Sequence, residues 1–501
     1  MVLLGFDIGS SSIKATLLEA ETGKIIAFAS SPETEMAISA PYLEWAEQDP
    51  DIWWEHVKRS TAKILGQSKI NKRDIAAIGI SYQMHGLVLV DKNLKVLRPS
   101  IIWCDSRAVS IGEKAFRELG KEHCLRCYLN SPGNFTASKL HWVKENEPQL
   151  FDHIYKMMLP GEYIALKMTG EIKTTPSGLS EGILWNFQEQ SLAGDLLDYF
   201  GIPQDFIPEI IPVFSVQGEL SQSAAHELDL NPGIKISYRA GDQPNNALSL
   251  NVLNLGELAA TAGTSGVVYG ISDQPIYDPK SRVNTFVHVN HTPTAPRNGV
   301  LLCVNGTGKL NSWLKTNVVG IGKNTLDYVQ MNHLASQSPV GARGLVILPF
   351  GNGAERILEN RNIGSSIHHL NFNLHTIPDV LRAAQEGIAF ALNYGIEIMR
   401  EMGLTIQKIR AGHTNMFLSP LFSEAFATIS GTTVELFNTD GSQGAARGAG
   451  IGVGIYKNAS EAFIGLKSVK IIEPDKSLKS AYQKAYDIWL KELQKRMIEK
   501  D

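Results

Sequence analysis

Apolar and polar positions alternate from the start of the chain. Residues 2–6 are apolar, residues 9–12 read Gly-Ser-Ser-Ser, and residues 13–18 are again mostly apolar, which predicts a β-hairpin. Gly23 turns the chain into a third predicted strand over 25–29. Asp49 followed by Pro50 marks a helix start, with Trp53, Val57 and Ile64 near helical spacing behind it. Residues 75–81 form another apolar strand that ends at Gln83-Met84-His85-Gly86, and residues 234–238 form one that leads into Gly241-Asp242. Strands alternating with helices predict an α/β fold.

The opening pattern returns half a chain later. Residues 257–269 read as a strand, a turn of Gly, Thr and Ser, and a second strand. Two such hairpins, each heading one half, predict two related α/β lobes. Pro244, Asn245 and Asn246 break the periodicity where the lobes would meet, dividing the chain into 1–246 and 247–501. A helix is predicted over 379–400, with Leu381, Ala384, Ile388 and Leu392 on one face. Residues 444–450 read as a small-residue helix packed tightly on a neighbour. The tail from Ser477 reads as a charged amphipathic helix carrying Tyr482, Tyr486, Leu490 and Leu493.

Composition agrees with two lobes, because 501 residues exceed what one hydrophobic core supports. Lys plus Arg number 47 against 51 Asp plus Glu, a net charge of −4, which argues against nucleic acid or anionic membrane as a partner. There is no long apolar run of membrane-spanning length, and the first residues lack a basic stretch and carry Asp7, so a cytoplasmic protein is expected. Cys104, Cys124, Cys127 and Cys303 make no disulfide framework. The Cys124-x-x-Cys127 pair has no second pair at zinc spacing and reads as reduced thiols in a helix.

Candidate chemistry sits at the turns. Asp7-Ile8-Gly9-Ser10-Ser11-Ser12 exposes N–H groups and hydroxyls that can cradle phosphate oxygens, with an acid placed to hold Mg²⁺ through water. A plain hairpin capped by its Asp has the same letters. Gly263-Thr264-Ser265-Gly266 supplies a matching turn, and two such hairpins would clamp a nucleoside triphosphate. Gly306-Thr307-Gly308-Lys309 lacks the following Ser or Thr and the glycine spacing of a Walker A loop, and reads as a loop. Asp242, on a Gly/Pro-constrained loop, can accept or orient the proton of a hydroxyl attacking a γ-phosphoryl group, or can simply form a turn. His85 lies at a strand end, where α/β folds bind ligands, although a structural hydrogen-bonding role suits it equally. Trp45, Trp53, Trp54, Trp103 and Trp142 read as core, while Trp103-Cys104-Asp105-Ser106-Arg107 also mixes polar and aromatic character in the manner of a sugar site. Gly412 and His413, after a predicted strand, would let a nucleoside approach the backbone.

In their order along residues 2–455, these pieces resemble the FGGY family of carbohydrate kinases. The resemblance is carried by Asp7 to Ser11 with Lys14, Trp45-Ala46-Glu47-Gln48-Asp49-Pro50, Gln83-Met84-His85-Gly86, Trp103 to Arg107, Thr136-Ala137-Ser138-Lys139-Leu140, Gly241-Asp242 and Gly263-Thr264-Ser265. It implies two actin-like (ribonuclease-H-type) lobes around a central cleft. It further implies ATP and Mg²⁺, with Asp7 and Asp242 serving the metal. Gly9, Ser10, Ser11, Ser12, Lys14, Gly263, Thr264 and Ser265 would serve the phosphates, and Gly412 and His413 the adenosine. Asp242 would be the catalytic base, and Met84, His85, Trp103, Asp105 and either Asn245 or Asn246 would join it around the sugar. The implied reaction is phosphorylation of D-xylulose at its 5-hydroxyl. L-ribulose or gluconate is an alternative acceptor, and an actin-like ATPase without a sugar substrate is the reading from another class. The implied partners are small molecules, and a homodimer is compatible. The chain departs from the family pattern at Gln243-Pro244 after the base, at the single Gly412 where two or three glycines are usual, at Asn134, and at Gly161-Glu162-Tyr163.

Overall fold

The computed structural model describes residues 1–320 and 326–499. Strand β1 (Val2–Ile8) pairs antiparallel with β2 (Ile13–Glu19), which pairs with β3 (Ile25–Ser31). Helix α1 (Pro50–Gln67) begins where the Asp49 side chain accepts the Asp51 N–H and Pro50 fills a position needing no donor. Strand β4 (Ile75–Tyr82) runs parallel to β1. After an insertion over 83–213, β5 (Phe214–Glu219) pairs antiparallel with β6 (Lys235–Gly241), giving the order β5-β6-β4-β1-β2-β3. Near-continuous burial along β1, β4 and β6, apolar throughout most of β1 and β4, is what a parallel strand covered on both faces requires. Helix α2 (Asp242–Ser249) starts directly at the end of β6. Asp242 is therefore the first residue of a helix rather than part of a loop. Pro244 falls in the first turn, where a missing N–H costs nothing.

The second lobe repeats the plan. Strands β7 (Glu257–Ala262), β8 (Gly266–Ser272), β9 (Asn284–Val287) and β10 (Asn298–Val304) form its antiparallel part. Helix α3 (Thr307–Asn317) follows, so Gly306 to Lys309 open a helix where a loop was expected. Helix α4 (Ile377–Glu401) leads into β11 (Lys408–Gly412), parallel to β7, then α5 (Pro420–Ser430) and β12 (Val434–Phe437), parallel to β11. Helix α6 (Gly441–Gly452), β13 (Ser468–Ile472) and α7 (Lys479–Glu499) close the fold. The order β9-β10-β8-β7-β11-β12-β13 sets three antiparallel neighbours, two parallel strands and an antiparallel edge in the same sequence as the first sheet, with β9 added. Both lobes are α/β, as expected.

Helix α6 belongs to the second half of the chain yet packs on β1, β4 and β6 of the first sheet. Its residues Gly441-Ser442-Gln443-Gly444-Ala445-Ala446-Arg447-Gly448 let backbones approach closely, as the small-residue run predicts. A Cβ added at Gly5 would collide with the Ser442 carbonyl oxygen, and one at Gly79 with that of Ala445. The terminal helix buries Tyr482, Tyr486 and Leu493 as expected. It also buries Trp489, whose Nε1 donates to the Ile347 oxygen at 3.1 Å, while Leu490 is only partly covered. Among the described residues no helix is long and apolar enough to cross a membrane.

Candidate active site

Strands β1, β4 and β6 end in register, with Ile8 and Gly241 both paired to Tyr82. The residues that follow them, Gly9, Gln83 to His85, and Asp242, therefore emerge at one sheet edge, where parallel α/β sheets present ligand sites. Gly9 closes the first turn by donating to the Ser12 oxygen at 3.1 Å, and the Gln48 side chain donates to the Ser10 oxygen at 2.7 Å. Asp7 accepts from Ser81 Oγ at 2.9 Å and pairs with Lys14 Nζ at 3.6 Å. The Lys14 pKa is raised by Asp7 first, with smaller contributions from the charges of Asp440 and Asp242.

Asp242 is partly buried. Desolvation first, and the charge of Asp7 second, push its carboxyl up to about 7, poised to take a proton at neutral pH. Met84 packs against the preceding residue, since a Cβ at Gly241 would lie 2.6 Å from Met84 Cγ. His85 adopts φ 61°, and its Nδ1 lies 2.8 Å from the Glu181 carbonyl oxygen. A carbonyl only accepts, so Nδ1 carries the proton and Nε2 offers a lone pair. Burial, then the charge of Lys139, lower the His85 pKa to about 3, so the imidazole stays neutral. Phe135 and Phe286 flank it at 4.9 and 5.5 Å.

The second hairpin lies at the equivalent edge of the other sheet. Gly263 follows β7, and Gly412 ends its parallel neighbour β11, with Ala260 paired to Ala411. The first amides of α3 hold the turn: Gly308 donates to the Gly263 oxygen at 2.9 Å and Lys309 to the Thr264 oxygen at 3.2 Å. His413 donates its N–H to the Phe437 oxygen at 2.8 Å, and its side chain is exposed. From Phe437 the chain passes Thr439, near Gly412, to Gly441, where an added Cβ would lie 2.7 Å from Asp7 Cγ. Cys303, on β10, is held as a thiol by burial and by the charges of Glu355 and Asp242, and it contacts Ser265. Both hairpins, Lys14 and Asp242 thus converge on one interlobe space. Beside the second hairpin a cavity of about 370 Å³ is lined by Gly306, Lys309, Leu310, Trp313, Pro349 and Asn352.

Two expected sugar contacts are occupied otherwise. Asp105 is fully buried, accepting the Ala46 N–H at 2.6 Å and pairing with Arg107 Nη2 at 2.6 Å, so its carboxylate is spent within the fold. Asn245 Nδ2 donates to the Gly441 oxygen at 2.8 Å and its Oδ1 accepts from Tyr238, which ties α2 to α6. Trp103 is half exposed rather than core, and its Nε1 leans on Ser10 Oγ at 3.3 Å, beside the first hairpin. Each residue is held by a long-range partner that local sequence does not reveal. Cys124 and Cys127 are unbridged in the helix Lys121–Cys127. Sequence reasoning missed Asp440, Trp313 and Glu181. The Glu181 carboxyl is buried beside Tyr82 and raised well above the usual range by burial first and by the charge of Asp242 second. Glu181 ends the short helix Pro176–Glu181, whose Ser/Gly-rich sequence gives no sign of a buried carboxylate.

No group of three or more His, Cys, Asp or Glu side chains among the described residues is arranged to hold a metal by itself. Mg²⁺ in nucleotide sites uses one or two carboxylates plus phosphate and water, and Asp7 beside the first turn fits that need.

Known proteins resemble the chain over most of its length. It is 29% identical over 409 residues to the xylulose kinase of Staphylococcus xylosus, covering 81% of each chain. It is 28% identical over 475 residues to that of Bacillus subtilis (strain 168), covering 92% of this chain and 90% of the relative. Among solved structures, the gluconate kinase of Lactobacillus acidophilus superposes with a TM-score of 0.89 at 22% identity, covering 99% of this chain and 98% of that one. The xylulose kinase of Rhodospirillum rubrum gives 0.86 at 24%, covering 99% of both, so the two share this fold. The N-terminal domain model of the FGGY carbohydrate kinases matches residues 2–249 and the C-terminal domain model residues 258–452, and the chain belongs to that family.

Proposed function

We propose that this ATP-dependent sugar kinase transfers the γ-phosphoryl group of MgATP to the 5-hydroxyl of D-xylulose, and that it acts in the cytoplasm. The observation that carries this reading is the convergence of Asp242, with its raised carboxyl, on Met84 and His85 at one sheet edge facing both hairpins. The shared name of the relatives, xylulose kinase, supports the choice of sugar.

Asp242 takes the proton from the attacking hydroxyl as the oxygen–phosphorus bond forms and the bond to the ADP oxygen breaks. His85 Nε2, as an acceptor, orients a sugar hydroxyl, and Met84 packs beside the carbon chain. The amides and hydroxyls of Gly9 to Ser12 and Gly263 to Ser265, with Lys14, receive the triphosphate. Gly412 and His413 border the nucleoside. Asp7 would hold Mg²⁺, which when bound neutralises phosphate charge. Most of the acceleration comes from holding donor and acceptor together out of water.

The direct test is ADP release from MgATP with D-xylulose, L-ribulose, D-ribulose, gluconate and glycerol. Highest kcat/KM on D-xylulose is expected. A clear preference for gluconate or glycerol, or ATP hydrolysis without any sugar dependence, would discard the reading. A second expectation concerns pH. The free base must be unprotonated, so kcat/KM for the sugar falls about tenfold per unit below a limb near pH 7, the Asp242 value. A flat profile between pH 5.5 and 8 (about one unit to either side) would remove Asp242 as the base.

A further inference from the structure

Across the cleft from His85 the second lobe presents Arg356, at the start of the short turn Arg356–Leu358. Its guanidinium lies 5.6 Å from the centroid of Phe135, the ring that packs edge-on against His85. A Cβ at Gly133 would lie 3.4 Å from Arg356 Nη2. Phe135 and Gly133 belong to the insertion of the first lobe, so this one side chain spans the two lobes.

Arg356 is held loosely. Its hydrogen bonds among the described residues are long ones, 3.4 Å, to the carbonyl oxygen and hydroxyl of Ser281, and no carboxylate pairs with it there. The neighbouring Glu355 carboxylate is engaged elsewhere, accepting the Asn305 N–H at 3.0 and 2.9 Å. A cation withdrawn from water normally finds an anion or several good acceptors. Here burial lowers the Arg356 pKa to about 10, and the charge is felt at His85 and Cys303. Cys303 also feels Asp242 and contacts Ser265, so it neighbours both the second hairpin and Arg356.

We infer that Arg356 is the second lobe's contact to the acceptor sugar, donating from across the cleft to oxygens at the end of the sugar remote from the hydroxyl that is phosphorylated. This rests on the sugar site proposed around Met84, His85 and Asp242. In D-xylulose those oxygens are the C1 hydroxyl and the C2 carbonyl, both of which accept from a guanidinium that only donates. A sugar touching His85 from one lobe and Arg356 from the other also favours the closed arrangement, so acceptor binding helps assemble the site.

The test uses the full-length enzyme with Arg356→Lys and Arg356→Gln. Loss of a charged hydrogen bond is expected to raise KM for the sugar about 10- to 100-fold in the Gln variant and less in the Lys variant, with KM for ATP within about threefold. The selective readout compares D-xylulose with 1-deoxy-D-xylulose. Wild type is expected to prefer D-xylulose by about tenfold or more, and Arg356→Gln to abolish most of that preference. A preference that survives unchanged in Arg356→Gln, or equal changes in KM for sugar and ATP, overturns the inference while leaving the function standing. A wild-type enzyme that phosphorylates no ketose overturns the functional reading, and this inference with it. Should Arg356→Gln fail to fold, Arg356→Lys carries the same comparison.

Discussion

Asp242→Asn is expected to lower kcat about 10³-fold while leaving ATP affinity near wild type. Steady-state ADP release and calorimetric titration with ATP measure the two quantities. The amide keeps the shape and one acceptor oxygen but cannot take a proton, so the loss falls on the chemical step. The same substitution should raise thermal stability. In the folded chain the Asp242 carboxyl titrates near 7, above its unfolded value, because burial and Asp7 oppose its charge. Between those two pKa values the folded state binds the extra proton, so stability drains away as pH rises towards 7, and the full penalty stands above it. Asn carries no charge, so the gain in melting temperature is largest at pH 8 and vanishes near pH 4 (roughly the unfolded carboxyl value). An inactive but unchanged melting temperature at pH 8 would refute the electrostatic account. Near-normal turnover would refute the base assignment.

Gly79→Val is expected to cost about 3 kcal/mol or more, the range for forcing atoms into a packed interior. The added Cβ would collide with the Ala445 backbone oxygen and meet the Ala449 side chain at 3.2 Å, and helix backbone has no rotamer with which to yield. Denaturant unfolding measures the loss. Gly66, exposed near the end of α1 with nothing near its Cβ position, is the control: Gly66→Ala should stabilise by about 0.5–1 kcal/mol. The damage from Gly79→Val reaches function as well. Helix α6 carries Gly441 against Asp7, and Asp440 near Lys14, so pushing it off the first sheet loosens one wall of the site. A Gly79→Val protein as stable as wild type would mean that α6 does not bear on β4 as described.

Much of this was legible beforehand because it depends on neighbours in sequence. Both hairpins, the Asp49-Pro50 helix start, the long helix α4 and the small-residue helix α6 follow from period, caps and turn chemistry, which act over a few residues. Pro and Asn after Asp242 suggest a break, and so a loop. The same letters open a helix when a strand end delivers them there. Asp105 and Asn245 were expected at the sugar because they are polar and lie beside the right motifs. Arg107 with the Ala46 amide, and Gly441 with Tyr238, had already claimed them.

Local pattern is enough for the α/β class, for the two similar lobes, and for the Gly/Ser and Gly/Thr/Ser turns that head them. Tertiary structure decided which polar groups remain free. Local pattern specifies backbone conformation within about one element, whereas a side chain's partner is chosen by segments hundreds of residues away, such as Gly441 beside Asp7. Burial and nearby charge are likewise properties of the assembled lobes. They raise Asp242 to about 7, keep His85 neutral, and leave Arg356 without a carboxylate partner among the described residues, and none of these is written in the residues alone.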